Sequence, residues 1–145
     1  MGNWFCPEDA GKLLLRLALA TILLFHGVYK IGHGVEWIKP RLAQVGLPGA
    51  LAYGTYVAEV IAPVLLLLGV QARAAALVIA FEMVMAIGLV LRHQVFALSS
   101  TAGGGWAIEL QVLLLAAAAS VACLGAGRYA FGGGQEPHPA GRCTG

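Results

Sequence analysis

The sequence predicts an all-α integral membrane protein, a bundle of four transmembrane helices in up-down antiparallel order. Composition is the first ground for this. The 145 residues are 59% hydrophobic and only 11% charged, and the mean hydropathy is +0.81. Ordinary soluble domains carry about a quarter charged residues, so too little polar surface is present to cover a water-soluble globule. The second ground is four apolar stretches, each near the ~20 residues needed to cross a hydrocarbon core. Their Leu/Ala/Val content lacks the alternation of a barrel strand. The third is the connections between them, which are short or rich in polar, Gly and Pro residues.

The elements follow in order. A first span covers residues 13–31. Lys12 and Arg16 before an apolar run resemble the start of a signal peptide, but Glu8, Asp9, His26 and Lys30 break that pattern. The loop after it mixes charged and apolar residues over 36–45, which predicts a short interfacial helix, and it ends in the turn-forming Gly46-Leu47-Pro48-Gly49. Spans over 50–70 and 72–91 are separated by almost nothing and predict a tight hairpin. A small-residue loop over 92–105 closes with Gly103-Gly104-Gly105. This run lacks the lysine of a phosphate loop and reads as a linker. The fourth span covers 106–126. Residues 1–131 thus form one transmembrane domain, and the Gly/Pro-rich 132–145 read as a disordered tail.

Net charge is +2 with the basic residues scattered singly, which excludes a nucleic-acid footprint. Cys6, Cys123 and Cys143 form no metal-ligand spacing and are expected as free thiols, with a bond between the tails as the alternative. An even number of spans puts both termini on one side. Lys12, Arg16, Arg73, Arg128 and Arg142 would lie there, against Lys30, Lys39, Arg41 and Arg92 opposite, which favours cytoplasmic termini.

Ionisable residues inside the spans carry the functional reading, because each costs ~2.5–3.5 kcal/mol at a bilayer centre on insertion scales. They are Arg16, His26 and Lys30 in the first span, Glu59 in the second, Arg73 and Glu82 in the third, and Glu109 in the fourth. At ~100° per residue, Arg16, His26 and Lys30 fall within a quarter of the helix circumference, a stripe facing the bundle. Up-down threading places His26, Lys30, Glu59 and Glu109 in one half of the membrane, a polar cluster suited to a quinone or a proton. Arg16, Arg73 and Glu82 are supporting members. Three positive and three negative groups balance, and pairing lets buried charges stay ionised. Structural glue between helices is the competing reading, with Lys30 snorkelling and Arg73 among headgroups. Pro63 removes the hydrogen bond to the Glu59 carbonyl and predicts a kink. Tyr53 and Tyr56 either line a pocket with Glu59 or sit at the interface. A haem between His26 and His93 is topologically allowed but disfavoured, because His93 falls past the end of its span.

Arg16-Leu17-Ala18 followed by His26-Gly27-Val28-Tyr29-Lys30 resembles the first-helix signature of the DoxX-like membrane proteins. Gly46-Leu47-Pro48, Glu59 with its following Leu-rich run to Gly69, Arg73-Ala74-Ala75-Ala76-Leu77, Glu109-Leu110 and Gly125-Ala126-Gly127-Arg128-Tyr129 continue the likeness over residues 12–131. Glu82 lies outside the family pattern. The resemblance implies a four-helix protein of the bacterial inner membrane. Some relatives are the membrane subunit of a thiosulfate:quinone oxidoreductase, and others are linked to oxidative-stress complexes.

Three functions stay open on the sequence. One is the small membrane subunit of a quinone-linked redox complex, an oxidoreductase only together with a soluble redox partner. Here His26 and Lys30 would hold a quinone oxygen, and Glu59 and Glu109 would handle protons. Another is a non-catalytic membrane scaffold for a soluble partner, recognised through 36–45 and the tail. The last is an oligomeric small-solute carrier, since four helices are few for a path within one chain and Ala116–Ala119 would permit close packing between copies. No cofactor other than a quinone is implied.

Overall fold

The computed structural model describes residues 7–99 and 105–131. The predicted 132–145 tail, Cys6, Cys143 and the first two glycines of the 103–105 run lie outside them. Among the described residues the chain is almost wholly helical. Helix α1 runs from Pro7 to His33, with Glu8 and Asp9 in its first turn and Lys30 and His33 in its last, the charge order that complements a helix dipole. It therefore starts before the predicted span and includes Lys12.

The loop that follows holds a 3₁₀ turn, Glu36–Ile38, and helix α2, Lys39–Gln44. Val35, Ile38 and Leu42 pack under it against Ala52, while Trp37 faces outward. The Lys39 Nζ donates to Glu36 Oε1 at 2.7 Å and to the Tyr53 hydroxyl at 3.0 Å. The hydrogen bond to Lys39 holds Glu36 below the usual carboxylate range, and its reciprocal raises Lys39. Tyr53 therefore belongs to this interfacial contact rather than to a pocket with Glu59.

Helix α3, Gly49–Leu68, and helix α4, Ala72–Val90, are each long and apolar enough to cross a membrane, as is α1. Leu65 and Leu66 close α3 in a Schellman arrangement: Val70 N–H donates to Leu65 O at 3.0 Å and Gly69 N–H to Leu66 O at 3.1 Å. Gly69 has φ +70°, and a Cβ there would lie 2.7 Å from an Arg16 nitrogen and 2.8 Å from Ala130, so only glycine fits.

The connection after α4 is more ordered than a linker. Strands β1, Leu98–Ser99, and β2, Gly105–Trp106, form a two-residue antiparallel ladder, and the Trp106 indole N–H donates to Val95 O at 2.6 Å. Pairing satisfies backbone groups within the connection itself. Because residues 105–106 are taken by the ladder, helix α5 spans only Glu109–Leu124, 16 residues or ~24 Å, shorter than the predicted 106–126. Gly125, at φ +76°, ends it.

Neighbouring pairs α1–α3, α3–α4, α4–α5 and α5–α1 are in contact. Their shared core is built on Leu19, Leu23, Leu66, Ile79, Leu114 and Val121, with alanines such as Ala20, Ala76 and Ala118 letting helix axes approach closely. The outward faces are as apolar as the core: Phe25, Val28, Ile31, Leu77, Phe81 and Leu113 are all exposed. Such a surface is stable only against lipid, and the chain is a multi-pass membrane protein.

Arg16 locks this packing. It is fully buried, and its hydrogen bonds go to backbone carbonyls rather than to a carboxylate. Its Nε donates to Leu66 O at 3.0 Å, one Nη to Leu67 O at 3.4 Å, and the other to Ala126 O and Tyr129 O, the latter at 3.2 Å. The guanidinium thus caps the end of α3 and the chain after α5 together, and Phe131 N–H adds a bond to Leu68 O at 3.0 Å. The expected three-against-three charge pairing does not extend to Arg16, because orphan carbonyls at helix ends are the nearer acceptors. Replacing Arg16 with Met is expected to destabilise the protein by at least about 3 kcal/mol, and Arg16→Lys is expected to recover only part, since one ammonium cannot span the same carbonyls. Thermal unfolding in detergent micelles checks both.

Candidate functional site

Pro63 shapes the middle of α3. Lacking an N–H, it cannot donate to the Glu59 carbonyl one turn back. The ladder widens there into a π-turn over Val57–Ile61, with Ala62 N–H on Val57 O. The expected disturbance is thus a π-turn, a geometry that recurs at functional sites. Glu59 lies inside it and is 4% exposed.

Across from the turn, α1 presents Gly27. A Cβ at this position would sit 2.5 Å from Glu59 O and 2.8 Å from Val60 Cγ2. The missing side chain lets the two backbones touch. Lys30, about one turn farther along the same face of α1, then reaches over the Glu59 carboxylate and forms a partly buried ion pair with Oε1. Tyr56, one turn before Glu59, donates its hydroxyl to Lys30 O at 3.2 Å, pinning this end of α1 to α3.

A third ionisable group joins them from α4. The Glu82 carboxyl lies within hydrogen-bonding reach of Glu59 and within electrostatic range of Lys30. Beside the pair, between α1 and α3, an open apolar recess of about 330 Å³ is lined by Ile31, Tyr56, Val60 and Ile61. Tyr56, which lines the recess, donates to Lys30 O, so the recess lies beside the Lys30 end of the contact.

The remaining predicted residues lie elsewhere. His26 is exposed, with Nδ1 donating to Ile22 O of its own helix at 2.9 Å. It shares a side of α1 with Lys30 but sits at the edge of the buried stripe rather than within it. Glu109 is the exposed first residue of α5, its carboxylate beside Gly105. Such a position favours a negative charge at a helix N-terminus. Arg73 is exposed at the hairpin end, with its guanidinium alongside Gly125 where α5 ends. His93 is exposed in a 3₁₀ turn beyond α4, where Arg92 Nε contacts its Nε2 at 3.1 Å. Convergence is therefore confined to Lys30, Glu59 and Glu82.

Gly27 was not singled out, because a helix glycine read alone is only a loss of propensity; its value depends on what it faces. Asp9 reads along the chain only as an acidic break in a signal-peptide pattern. It is 1% exposed, 3.6 Å from Lys12 Nζ, and packs against Gly127. Among the described residues no group of His, Cys, Asp or Glu is arranged to hold a metal ion, and Cys123 is a free, exposed thiol.

Comparison with known protein families matches DoxX over residues 11–94, which includes α1, α2, α3 and α4 and with them Lys30, Glu59 and Glu82. No curated protein and no solved structure matches the chain.

Two outcomes follow from this geometry. Gly27→Ala is expected to cost about 1–3 kcal/mol, since backbone rather than a flexible side chain stands in the way of the added methyl. Lys30→Met, which strands Glu59, is expected to cost about 3–5 kcal/mol, whereas Lys30→Met combined with Glu59→Leu costs much less. Denaturant unfolding of the reconstituted variants measures each, and equal losses in the single and double variants would show that the ion pair is not coupled.

Proposed function

The chain belongs to the DoxX family, and from that premise we propose that it is the small membrane subunit of a quinone-linked redox complex in the bacterial inner membrane. In this reading all four apolar helices cross the bilayer in up-down order with cytoplasmic termini. Helix α5 is completed at its ends by the ladder before Glu109 and the turn after Leu124. A soluble partner supplies the electrons.

The observation that carries the reading is the Lys30–Glu59 pair at the edge of the recess formed by Ile31, Tyr56, Val60 and Ile61. A quinone needs two things of a membrane site. Its isoprenoid tail needs an apolar approach from lipid, and its carbonyl oxygens need a donor that also handles protons. The recess offers the first and the ammonium of Lys30 the second. Were a quinone bound, the Lys30 ammonium would stabilise the negative charge that its oxygens gain on reduction by the partner, and Glu59 would be the group to exchange a proton. His26 serves at most as an outlying acceptor, and Glu109 is placed to receive protons at the surface rather than at the ring.

Gentle extraction from the native membrane followed by mass spectrometry of the bound lipids tests the proposal. Quinone is expected in near-stoichiometric amount, with about a tenfold or greater loss of binding in Glu59→Gln, ~1.4 kcal/mol or more. Quinone-dependent electron flow is expected to fall in parallel. A quinone-free protein that retains a soluble partner, with electron flow untouched by Glu59→Gln, would overturn it and leave a membrane scaffold.

A further inference from the structure

Glu82 is not needed to explain how Lys30 and Glu59 meet. Its place follows from the hairpin. Glu59 and Glu82 each lie about three turns from the bend at Gly69–Gln71, one on α3 and one on α4, and so reach the same level of the membrane. Each keeps one carboxyl oxygen, Oε2, fully buried and without a hydrogen-bond donor among the described residues. Glu59 itself is 4% exposed. The carboxyls are within hydrogen-bonding reach of one another, yet two carboxylates are acceptors only and repel. Two neighbouring carboxyls, each with a buried acceptor that no donor among the described residues meets, mark a missing proton donor.

Charge leads to the same place. Lys30 contributes one positive charge, and two ionised carboxyls would contribute two negative ones. Among the described residues, the groups on the neighbouring helices supply no further cation to the pair. On α1, His26 is exposed and turned to its own backbone, and Arg16 is committed to carbonyls toward the other end of the bundle. On α3, the Tyr56 hydroxyl is engaged with Lys30 O. On α5, Glu109 is exposed and Gln111 has its Oε1 buried without a donor. One added proton makes the site neutral, which is the state a low-dielectric interior favours.

We propose that Glu59 and Glu82 form an intramembrane proton-binding site that holds one exchangeable proton between their carboxyls, with Lys30 as the fixed counter-charge. Uptake forms one O–H bond on a carboxyl oxygen, which then donates to the other carboxyl, and the site becomes neutral. Release breaks that bond, hands the proton to water or to a reduced ligand, and leaves one negative charge in excess of Lys30. Such a pair titrates as a unit rather than as two separate acids. The site stands on its own geometry; only the use of its proton in quinone chemistry rests on the function proposed above.

Infrared difference spectroscopy between acidic and alkaline pH, on quinone-free protein in lipid nanodiscs, tests the site directly. Near neutral pH the wild type is expected to show the carbonyl band of one un-ionised carboxyl per chain, shifting in heavy water. Glu82→Gln is expected to abolish it, and Glu109→Gln to leave it intact. Lys30→Met is expected to double the band, because both carboxyls then take protons. No un-ionised band in the wild type at neutral pH would overturn the proposal whether or not the variants fold, as would a band that survives in folded Glu82→Gln. Since no quinone is present, a missing band refutes only the proton site, and a normal band in a protein that never binds quinone refutes only the redox reading.

Discussion

A single buried guanidinium fixes the register of the bundle. Arg16 has donors enough to bind several acceptors at once, and it spends them on backbone carbonyls at the end of α3 and in the turn after α5. In a membrane those carbonyls have no water to turn to, so a cation that binds them together is both cap and clamp. It also sets how α1 lies along α3. Gly27 and Lys30 fall about three and four turns beyond Arg16 on nearly the same face. Once Arg16 is seated at the end of α3, Gly27 comes against the Glu59 carbonyl and Lys30 over its carboxylate.

The two ends of the bundle differ in character as a result. Around Arg16 the hydrogen bonds run from a charged donor to backbone, the α3–α4 bend is a closed Schellman turn, and Gly69 leaves no spare room. Toward the other end both central helices relax into π-turns, Val57–Ile61 and Ala86–Val90, and the Lys30–Glu59 ion pair joins two side chains. There Lys30 meets the Glu59 carboxylate, while Arg41 donates to Val90 O at 3.1 Å. The Lys30–Glu59 pair thus lies beside the π-turns, while the register is held at the Arg16 end.

Much of this is legible along the chain. Composition alone demands lipid, since leucines and alanines line both faces of the helices. Spacing places Arg16 and Lys30 on one side of α1, and Pro63 marks a disturbance at Glu59. Other features are not legible because they depend on what a residue meets. Arg16 was matched with carboxylates by charge counting, but carbonyls at helix ends are closer. His26 is within ~40° of Lys30 on a helical wheel, yet that small rotation at the edge of a stripe separates inside from outside. The predicted fourth span is shortened by a ladder whose strands are only two residues long, below what periodicity can reveal.

The sequence by itself determined that this chain lives in a membrane, where its helices run, and which few ionisable groups had to find partners there. Those are consequences of solvent and of local geometry, which every residue carries with it. Only the tertiary structure decided that Glu82 joins Lys30 and Glu59 while His26 and Glu109 stand apart. That choice depends on helix rotation and on how closely two backbones approach at Gly27. Rotation and approach are set by packing between elements distant in the chain, and no local property of a residue encodes them.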